Sequence, residues 1–517
     1  MTMKKKRILW ADDEIDLLRP HILFLNEKGY EMVTVNSGQD AIDSFRDETF
    51  DLVFLDENMP GLSGLETLSK LKEINPNVPV IMITKSEDEG IMTDAIGRKI
   101  ADYLIKPVNP NQILMSIKKN LHKDDIMTEA TLEGYREEYN KIATQINDAR
   151  TPDEWIDVYR KIVHWEMELT ASQNPLIDLL RMQKQEANNA FVKFVRQNYE
   201  DWVAGGSDDR PLLSPDLFKD KVFPTLDSDE KVFFILIDNF RLDQWWEVKD
   251  LLAGDFTFNE DMYYSILPTA TQYARNSIFS GLMPKQIADM YPDLWIDEDE
   301  EESKNLNEEP LIQTQIDRFR KKYTFSYNKI LSSAQGEKLV QNFNTLDRNL
   351  LNVVVINFVD MLSHARTDSK MIRELASDES AYRSLTRSWF KHSSTTDLFK
   401  RIAEKGYKVM LTTDHGTIRV KNAVKVVGDK ATNTNLRYKL GRNLAYDSRK
   451  VYEMRDPARF GLPVPNISTR YIFAYGDDFF AYPNNYNYYV SYYADTFQHG
   501  GISLEEMIVP FITMNPK

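Results

Sequence analysis

Three apolar runs, residues 232–237, 353–359 and 409–411, each stop at or near an aspartate: Asp238, Asp360 and Asp414. Runs this apolar, without polar alternation, fit strands buried on both faces, as in a parallel sheet covered by helices. Ligands of such sheets bind outside the carboxyl ends of the strands. Three carboxylates at three such ends therefore converge on one rim. A single aspartate after a strand is more simply a helix N-cap, but the repetition turns the reading toward chemistry.

Three of the seven histidines join these carboxylates. Asp360 and His364 are spaced to share one face of a helix or turn. Asp414 and His415 are adjacent and suited to one ion at a strand end. His499 stands in Gln498-His499-Gly500-Gly501, before the final segment 502–511, where the glycines allow close backbone approach. Carboxylate and imidazole together suit zinc, although the same donors also take manganese. A hydroxyl nucleophile is sought in Pro268-Thr269-Ala270-Thr271, which precedes a helical pattern ending at Gly281. A hydroxyl at a helix N-terminus sits where backbone N–H groups favour an anion. Thr271 is the candidate, Thr269 competes with it, and either serves equally as an N-cap.

The first 120 residues alternate short apolar runs (8–10, 31–35, 52–55, 80–83, 102–105) with amphipathic segments, which predicts a doubly wound parallel sheet. Asp12 and Asp13 follow the first run and Asp56 the third. Thr84 follows the fourth, and Lys106-Pro107 the fifth. Clustered carboxylates hold a hard cation such as Mg²⁺, while a lysine and a hydroxyl hold phosphoryl oxygens. Asp56 is then the nucleophile that forms an aspartyl phosphate. Residues 123–204 show no strand pattern. Thr151-Pro152-Asp153-Glu154 is a capping-box helix start, a second helix starts at Asn174-Pro175, and a third pattern spans 132–146. A three-helix bundle is predicted, followed by a linker over 205–215.

At 517 residues the chain exceeds what one core organises. With 64 basic and 80 acidic side chains its net charge is -16, which argues against broad contact with nucleic acid or an anionic membrane. There is no cysteine, so thiolate chemistry and disulfides are excluded. The basic start Lys4-Lys5-Lys6-Arg7 leads into an apolar run that Asp12 ends too soon for a signal peptide. No stretch reaches the roughly 18 apolar residues of a membrane span. A cytoplasmic protein without membrane insertion is expected.

Asp56-Glu57-Asn58-Met59-Pro60-Gly61 with Gly64 resembles the response-regulator receiver family, of flavodoxin-like fold. The resemblance implies that Asp12, Asp13, Asp56 and the Asn58 carbonyl bind Mg²⁺. It makes Thr84 the switch hydroxyl, Tyr103 the switch aromatic and Lys106 the phosphate contact. Lys85 departs from the small residue usual there, which bears on access to the phosphate. The resemblance also implies a sensor histidine kinase as partner and a homodimer on phosphorylation, through the face around Tyr103 and residues 112–121.

The ordered set Asp238, Thr271, Asp360, His364, Asp414, His415 and His499 resembles the alkaline phosphatase superfamily, in its PglZ branch. That resemblance implies two zinc ions, one on Asp238, Thr271, Asp414 and His415, the other on Asp360, His364 and His499. It also implies Thr271 as nucleophile. Alkaline phosphatase itself uses serine and an arginine clamp; here only Arg241 and Arg275 are candidates for the clamp, which leans toward a phosphodiesterase. The domains expected are a receiver (1–121), an all-α three-helix spacer (122–207) and an alkaline-phosphatase-like α/β domain (208–517). In this order they resemble the PorX-type response regulators of type IX secretion, which implies secretion components as partners.

Substrate clues are the stretch 419–450, with nine basic and two acidic residues, and the aromatic-rich stretch 479–493. Basic and aromatic residues together can gather and stack a single-stranded oligonucleotide, although cross-strand pairs in a hairpin explain the aromatics more simply. The acidic run 297–302 reads as a solvated loop. The expected function is therefore a phosphorylation-controlled phosphodiesterase acting on nucleotides or oligonucleotides. The alternative is a signalling adaptor that uses a hydrolase-like fold as a binding platform. A direct DNA-binding factor lacks a basic recognition helix.

Overall fold

The computed structural model describes residues 5–84, 100–121, 123–172, 174–298, 305–376, 378–428 and 432–517. The chain divides into two compact units, Met1–Glu133 and Gly134–Lys517.

In the first unit, strands Arg7–Ala11, Glu31–Val35, Leu52–Asp56, Val80–Thr84 and Asp102–Ile105 form one parallel sheet. Counted along the chain, their spatial order is 2-1-3-4-5. This is the flavodoxin-like order, with its switch point between the first and third strands. Asp12 and Asp56 therefore emerge side by side. The helix Gly64–Ile74 starts so close to Asp56 that a Cβ on Gly64 would meet the Asp56 carbonyl at 2.5 Å, which only glycine avoids.

The second unit begins with long helices. Pro152–Ala171 has the capping box expected: the Thr151 hydroxyl accepts from the Glu154 N–H, and the Glu154 carboxylate accepts from the Thr151 N–H. A cap of this kind contributes about 1 kcal/mol. Ile177–Ala204 ends at Gly205, left-handed at φ 73°. With the helix Lys123–Asp148 these complete the three expected helices. Their buried faces (Tyr135, Trp155, Phe191, Trp202) belong to one hydrophobic core that runs on through Phe233, Val354 and Ile512.

Six strands form the main sheet, in the order Phe256–Tyr264, Ile508–Pro516, Lys408–Thr412, Val232–Ile237, Leu351–Ile356, Phe325–Ile330. The last four are mutually parallel, and Ile508–Pro516 is antiparallel to both of its neighbours. The three apolar runs are the central strands, and the register sets Leu236 beside Thr412 and Ile237 beside Ile356. Their carboxyl ends are thus level.

Three expectations need correction. The run 353–359 is a strand only as far as Ile356; Phe358 and Val359 open the helix Phe358–Asp368. Asp360 therefore lies in the first turn of that helix, which it shares with His364 as their spacing predicts, and not at the strand end itself. Asn357, the one polar residue of the run, stands at the boundary between strand and helix, immediately before the helix. The linker over 205–215 is only partly loop. Leu213 is buried and bridges to Tyr264, since the apolar residues Leu212, Leu213 and Leu217 have a core to join. The aromatic stretch is no hairpin: strand Asp478–Ala481 is followed by helix Tyr486–Tyr493, whose tyrosines pair at helical spacing, Tyr488 with Tyr492 and Tyr489 with Tyr493.

Candidate metal centre

Asp238 follows the strand Val232–Ile237, and Asp414-His415 lie just beyond the strand Lys408–Thr412. Donor atoms of Asp238, Asp414 and His415 lie within 4.8 Å of one another, as do those of Asp360, His364 and His499. The first group is fully buried. The second opens to solvent, with side-chain exposure of 16% at Asp360, 13% at His499 and 65% at His364. The groups meet where the His415 and His499 rings stack, 4.1 Å between centroids and 14° from parallel.

Backbone carbonyls orient both rings. His415 Nδ1 lies 3.1 Å from the Gly416 carbonyl, and His499 Nδ1 lies 3.2 Å from that of Thr269. A carbonyl can only accept, so each Nδ1 carries the proton and each Nε2 presents a lone pair inward. Those lone pairs face carboxylates: His415 Nε2 is 3.7 Å from Asp238 Oδ1, and His499 Nε2 is 3.7 Å from Asp360 Oδ1. Burial, reinforced by His415 and His364, holds His499 well below the usual imidazole value. Gly416 lets the Glu505 backbone approach closely beside His415, since a Cβ there would meet the Glu505 carbonyl at 1.9 Å.

The two threonines separate cleanly. Thr271 is the first residue of the helix Thr271–Ser280, half-buried, with Oγ1 3.1 Å from His415 Nε2. Thr269 is fully buried and structural: its hydroxyl donates to the Gly501 carbonyl and accepts from the Gly500 N–H. It fastens the segment that carries His499.

Arg275, also on that helix and fully buried, pairs with Asp238, with Asp414 at 2.9 Å and with Glu308 at 3.3 Å. Arg241 is likewise taken, by Asp243 at 2.8 Å and Glu379 at 2.6 Å. Both arginines offered by the sequence as phosphate clamps thus hold the protein's own carboxylates. Burial drives Asp238 well above the usual carboxylate range, against Arg275 and with Asp414 and Asp360 adding to it. Burial acts the same way on Asp414, but there Arg275 and His415 prevail and hold it at about 2.

Asp238 Oδ1 is buried and has no hydrogen-bond partner in the protein. Such an orphaned acceptor costs about 1–3 kcal/mol, which a cation between it and the His415 lone pair removes. Oxygen and imidazole donors in both groups suit zinc.

Sequence reasoning missed Asn239, fully buried, whose Nδ2 lies 3.4 Å from Asp360 Oδ1. It also missed Glu506, which accepts from the Gly501 N–H and pairs with buried Arg437. Only their closeness in sequence to Asp238 and His499 could have pointed to them.

In the first unit, Asp12, Asp13 and Asp56 bring carboxylate oxygens within 4.8 Å of one another. Lys106 Nζ is 2.8 Å from Asp12 and 3.1 Å from Asp56. Asp56 Oδ1 is buried without a hydrogen-bond partner, and burial raises this carboxyl despite Lys106. Thr84 is buried at its strand end, Tyr103 is half-buried in the strand Asp102–Ile105, and Asn58 is exposed beyond Asp56. Lys85 lies outside the described residues.

Residues 217–514, more than half of the chain, match the model of the BREX system PglZ alkaline phosphatase-like domain. The chain belongs to the PglZ family. Residues 125–203 of this PglZ chain match the PorX response regulator linker domain, and 8–118 the response regulator receiver domain, which together give the PorX-type architecture. The transcriptional regulatory protein ZraR of Escherichia coli (strain K12) is 32% identical over 133 residues, 25% of this chain and 30% of that protein. The alginate biosynthesis transcriptional regulatory protein AlgB of Pseudomonas putida is 35% identical over 115 residues, 22% of this chain and 26% of that protein. The PglZ chain thus spans less than a third of the length of these two relatives. The crystal structure of a CheY-like response regulator receiver domain protein from Methanospirillum hungatei JF-1 is 28% identical, covers 23% of this chain and 96% of that one, and has a TM-score of 0.23.

Proposed function

We propose that this PglZ chain is a response regulator whose effector domain is a two-zinc phosphodiesterase acting on nucleotides or oligonucleotides. The observation that carries the reading is the Thr271 hydroxyl, at a helix N-terminus and 3.1 Å from His415 Nε2, beside two donor groups joined by stacked imidazoles. Asp238, Asp414, His415 and Thr271 would hold one ion; Asp360, His364 and His499 the other. When bound, zinc supplies Lewis-acid stabilisation of the charge that develops on phosphoryl oxygens.

The chain's own residues do the rest. Thr271 Oγ1 forms a bond to phosphorus as the bond to the leaving alkoxide breaks, and the proton given up by the Thr271 hydroxyl ends on that oxygen to give the free alcohol. Water then cleaves the threonyl phosphoester, which yields a phosphomonoester and the free hydroxyl. The N-terminal N–H groups of the helix Thr271–Ser280 favour the negative charge of the bound phosphoryl group. Arg275 keeps the Asp238 and Asp414 carboxylates aimed, and the Gly416 and Thr269 carbonyls keep both Nε2 lone pairs inward. The half-buried Thr271 and the exposed His364 leave one side open for a diester.

The receiver would take a phosphoryl group on Asp56 from a donor such as a sensor histidine kinase. Asp12, Asp13, Asp56 and the Asn58 carbonyl would hold Mg²⁺, whose bound charge supports the phosphoryl group. Thr84, Tyr103 and Lys106 would read it. Homodimerisation on phosphorylation, a cytoplasmic role in regulating type IX secretion and the three-part division at 121 and 207 complete the proposal. Among the described residues no helix is long and apolar enough to cross a membrane.

The test is metal analysis and turnover of Asp360→Asn and Asp414→Asn. Both variants are expected to stay folded and lose diester cleavage. Full activity in either, or in the chelated wild type, contradicts the reading.

A further inference from the structure

Asn239 has a conformation that needs a reason. It is fully buried with φ 65°, in the left-handed region that only glycine enters freely and that asparagine tolerates best among the rest. A turn alone is served better by glycine, so the side chain has to justify the residue.

That side chain and backbone reach both donor groups. The Asn239 N–H points at Asp414 Oδ1, 3.5 Å away, in the buried group. Its Nδ2 lies 3.4 Å from Asp360 Oδ1, in the open group, and 3.3 Å from Ser363 Oγ. Ser363 Oγ itself donates to the Asp360 carbonyl, at 2.7 Å, and so is free to accept from the amide. Asn239 Oδ1 is buried without a hydrogen-bond partner, so the amide is placed for what its nitrogen does. Asp414 and Asp360 belong to different chain segments. Of the two, Asp360 sits on a helix whose other ligand, His364, is largely exposed.

We propose that Asn239 is a positioning residue that ties the two donor groups together and makes the two cations bind as a coupled pair. The left-handed backbone turns the N–H toward one carboxylate while the amide N–H₂ holds the other. Neither contact is short, as suits a group that orients ligands rather than competing for them. This inference rests on the two-metal reading of the site.

The experiment is a zinc titration of metal-free, full-length protein against a chromophoric chelator, with zinc alone as the probe. It compares wild type, Asn239→Gly and Ser363→Ala, with melting curves recorded in parallel. Glycine keeps φ accessible while deleting the amide; Ser363→Ala removes a partner of the amide at a helical position that alanine suits. Wild type is expected to take up two ions together. Asn239→Gly is expected to bind them in two separate steps, the weaker by about tenfold or more, with an unchanged melting temperature. Ser363→Ala is expected to move the same way by less. A merely structural role would lower the melting temperature and leave the spacing of the two steps alone. Unsplit zinc uptake in both variants overturns the role of Asn239 alone. Fewer than two zinc ions on wild type overturns the metal reading beneath it.

Discussion

The imidazoles of His415 and His499 lie face to face, 4.1 Å between centroids, each with Nδ1–H held by a backbone carbonyl. One ring belongs to a buried donor group and the other to an open one.

The difference in exposure between the groups has a kinetic consequence. His364 is 65% exposed, whereas Asp238, Asp414 and His415 are within 1% of complete burial. A chelator is expected to strip zinc in two phases, the fast one from Asp360, His364 and His499. In His364→Ala the fast phase should vanish from the stopped-flow trace. A wild-type trace without the fast phase would contradict an ion held at Asp360, His364 and His499.

Thr269 and Thr271 should separate by phenotype. Thr271→Ala is expected to lose turnover by orders of magnitude while binding zinc and melting like wild type. Thr269→Val strands the Gly500 N–H in the interior and should destabilise the fold by about 1–3 kcal/mol. Denaturant unfolding measures the second effect and steady-state kinetics the first; the reverse pattern would exchange their roles.

Arg275 pairs with three buried carboxylates. Arg275→Leu leaves Asp238, Asp414 and Glu308 short of a partner and is expected to cost about 3–5 kcal/mol in the metal-free protein. Zinc adds charge of the same sign at Asp238 and Asp414, so zinc should raise the melting temperature of the variant more than that of wild type. Equal shifts would show that Arg275 and the cation do not answer the same charges.

Lys439 gives the second unit a pH signature of its own. It is 1% exposed, donates to the Asn433 carbonyl and lies 4.7 Å over the Tyr482 ring. Burial lowers its pKa to about 7, against the pull of Glu298, from the free-lysine value of 10.5. Between those values the unfolded chain binds a proton that the folded chain lacks, so stability rises with pH in that window. The slope approaches about 1.4 kcal/mol per pH unit. Urea titrations from pH 7 to 9 should show it in wild type and lose it in Lys439→Met; an unchanged slope would assign it elsewhere.

Much of this was legible in the sequence because it depends on short-range pattern. Apolar runs located the central strands of both sheets, and the residues just past their ends, Asp12, Asp56, Asp238 and Asp414, are where chain reversal must place them. Asp360 was reached for a partly wrong reason: the run 353–359 crosses from strand into helix at Asn357, its one polar residue, so the aspartate stands on the helix and not at the strand end. The tyrosines of 486–493 were misread because β-propensity reflects half-buried packing, and here they line a helix that packs one side and leaves Tyr488 62% exposed. Asn239 and the partners of Arg275 were out of reach. A left-handed φ and a threefold carboxylate clamp arise from segments brought together by the fold, and no local spacing encodes them.

The most direct measurement compares a phosphodiester, bis-p-nitrophenyl phosphate, with the monoester p-nitrophenyl phosphate, on zinc-loaded wild type and Thr271→Ala. Preferential cleavage of the diester by wild type, lost in Thr271→Ala, is the expected result. No cleavage of either ester by wild type with both zinc ions bound would contradict a phosphodiesterase and favour a signalling adaptor built on a hydrolase-like fold.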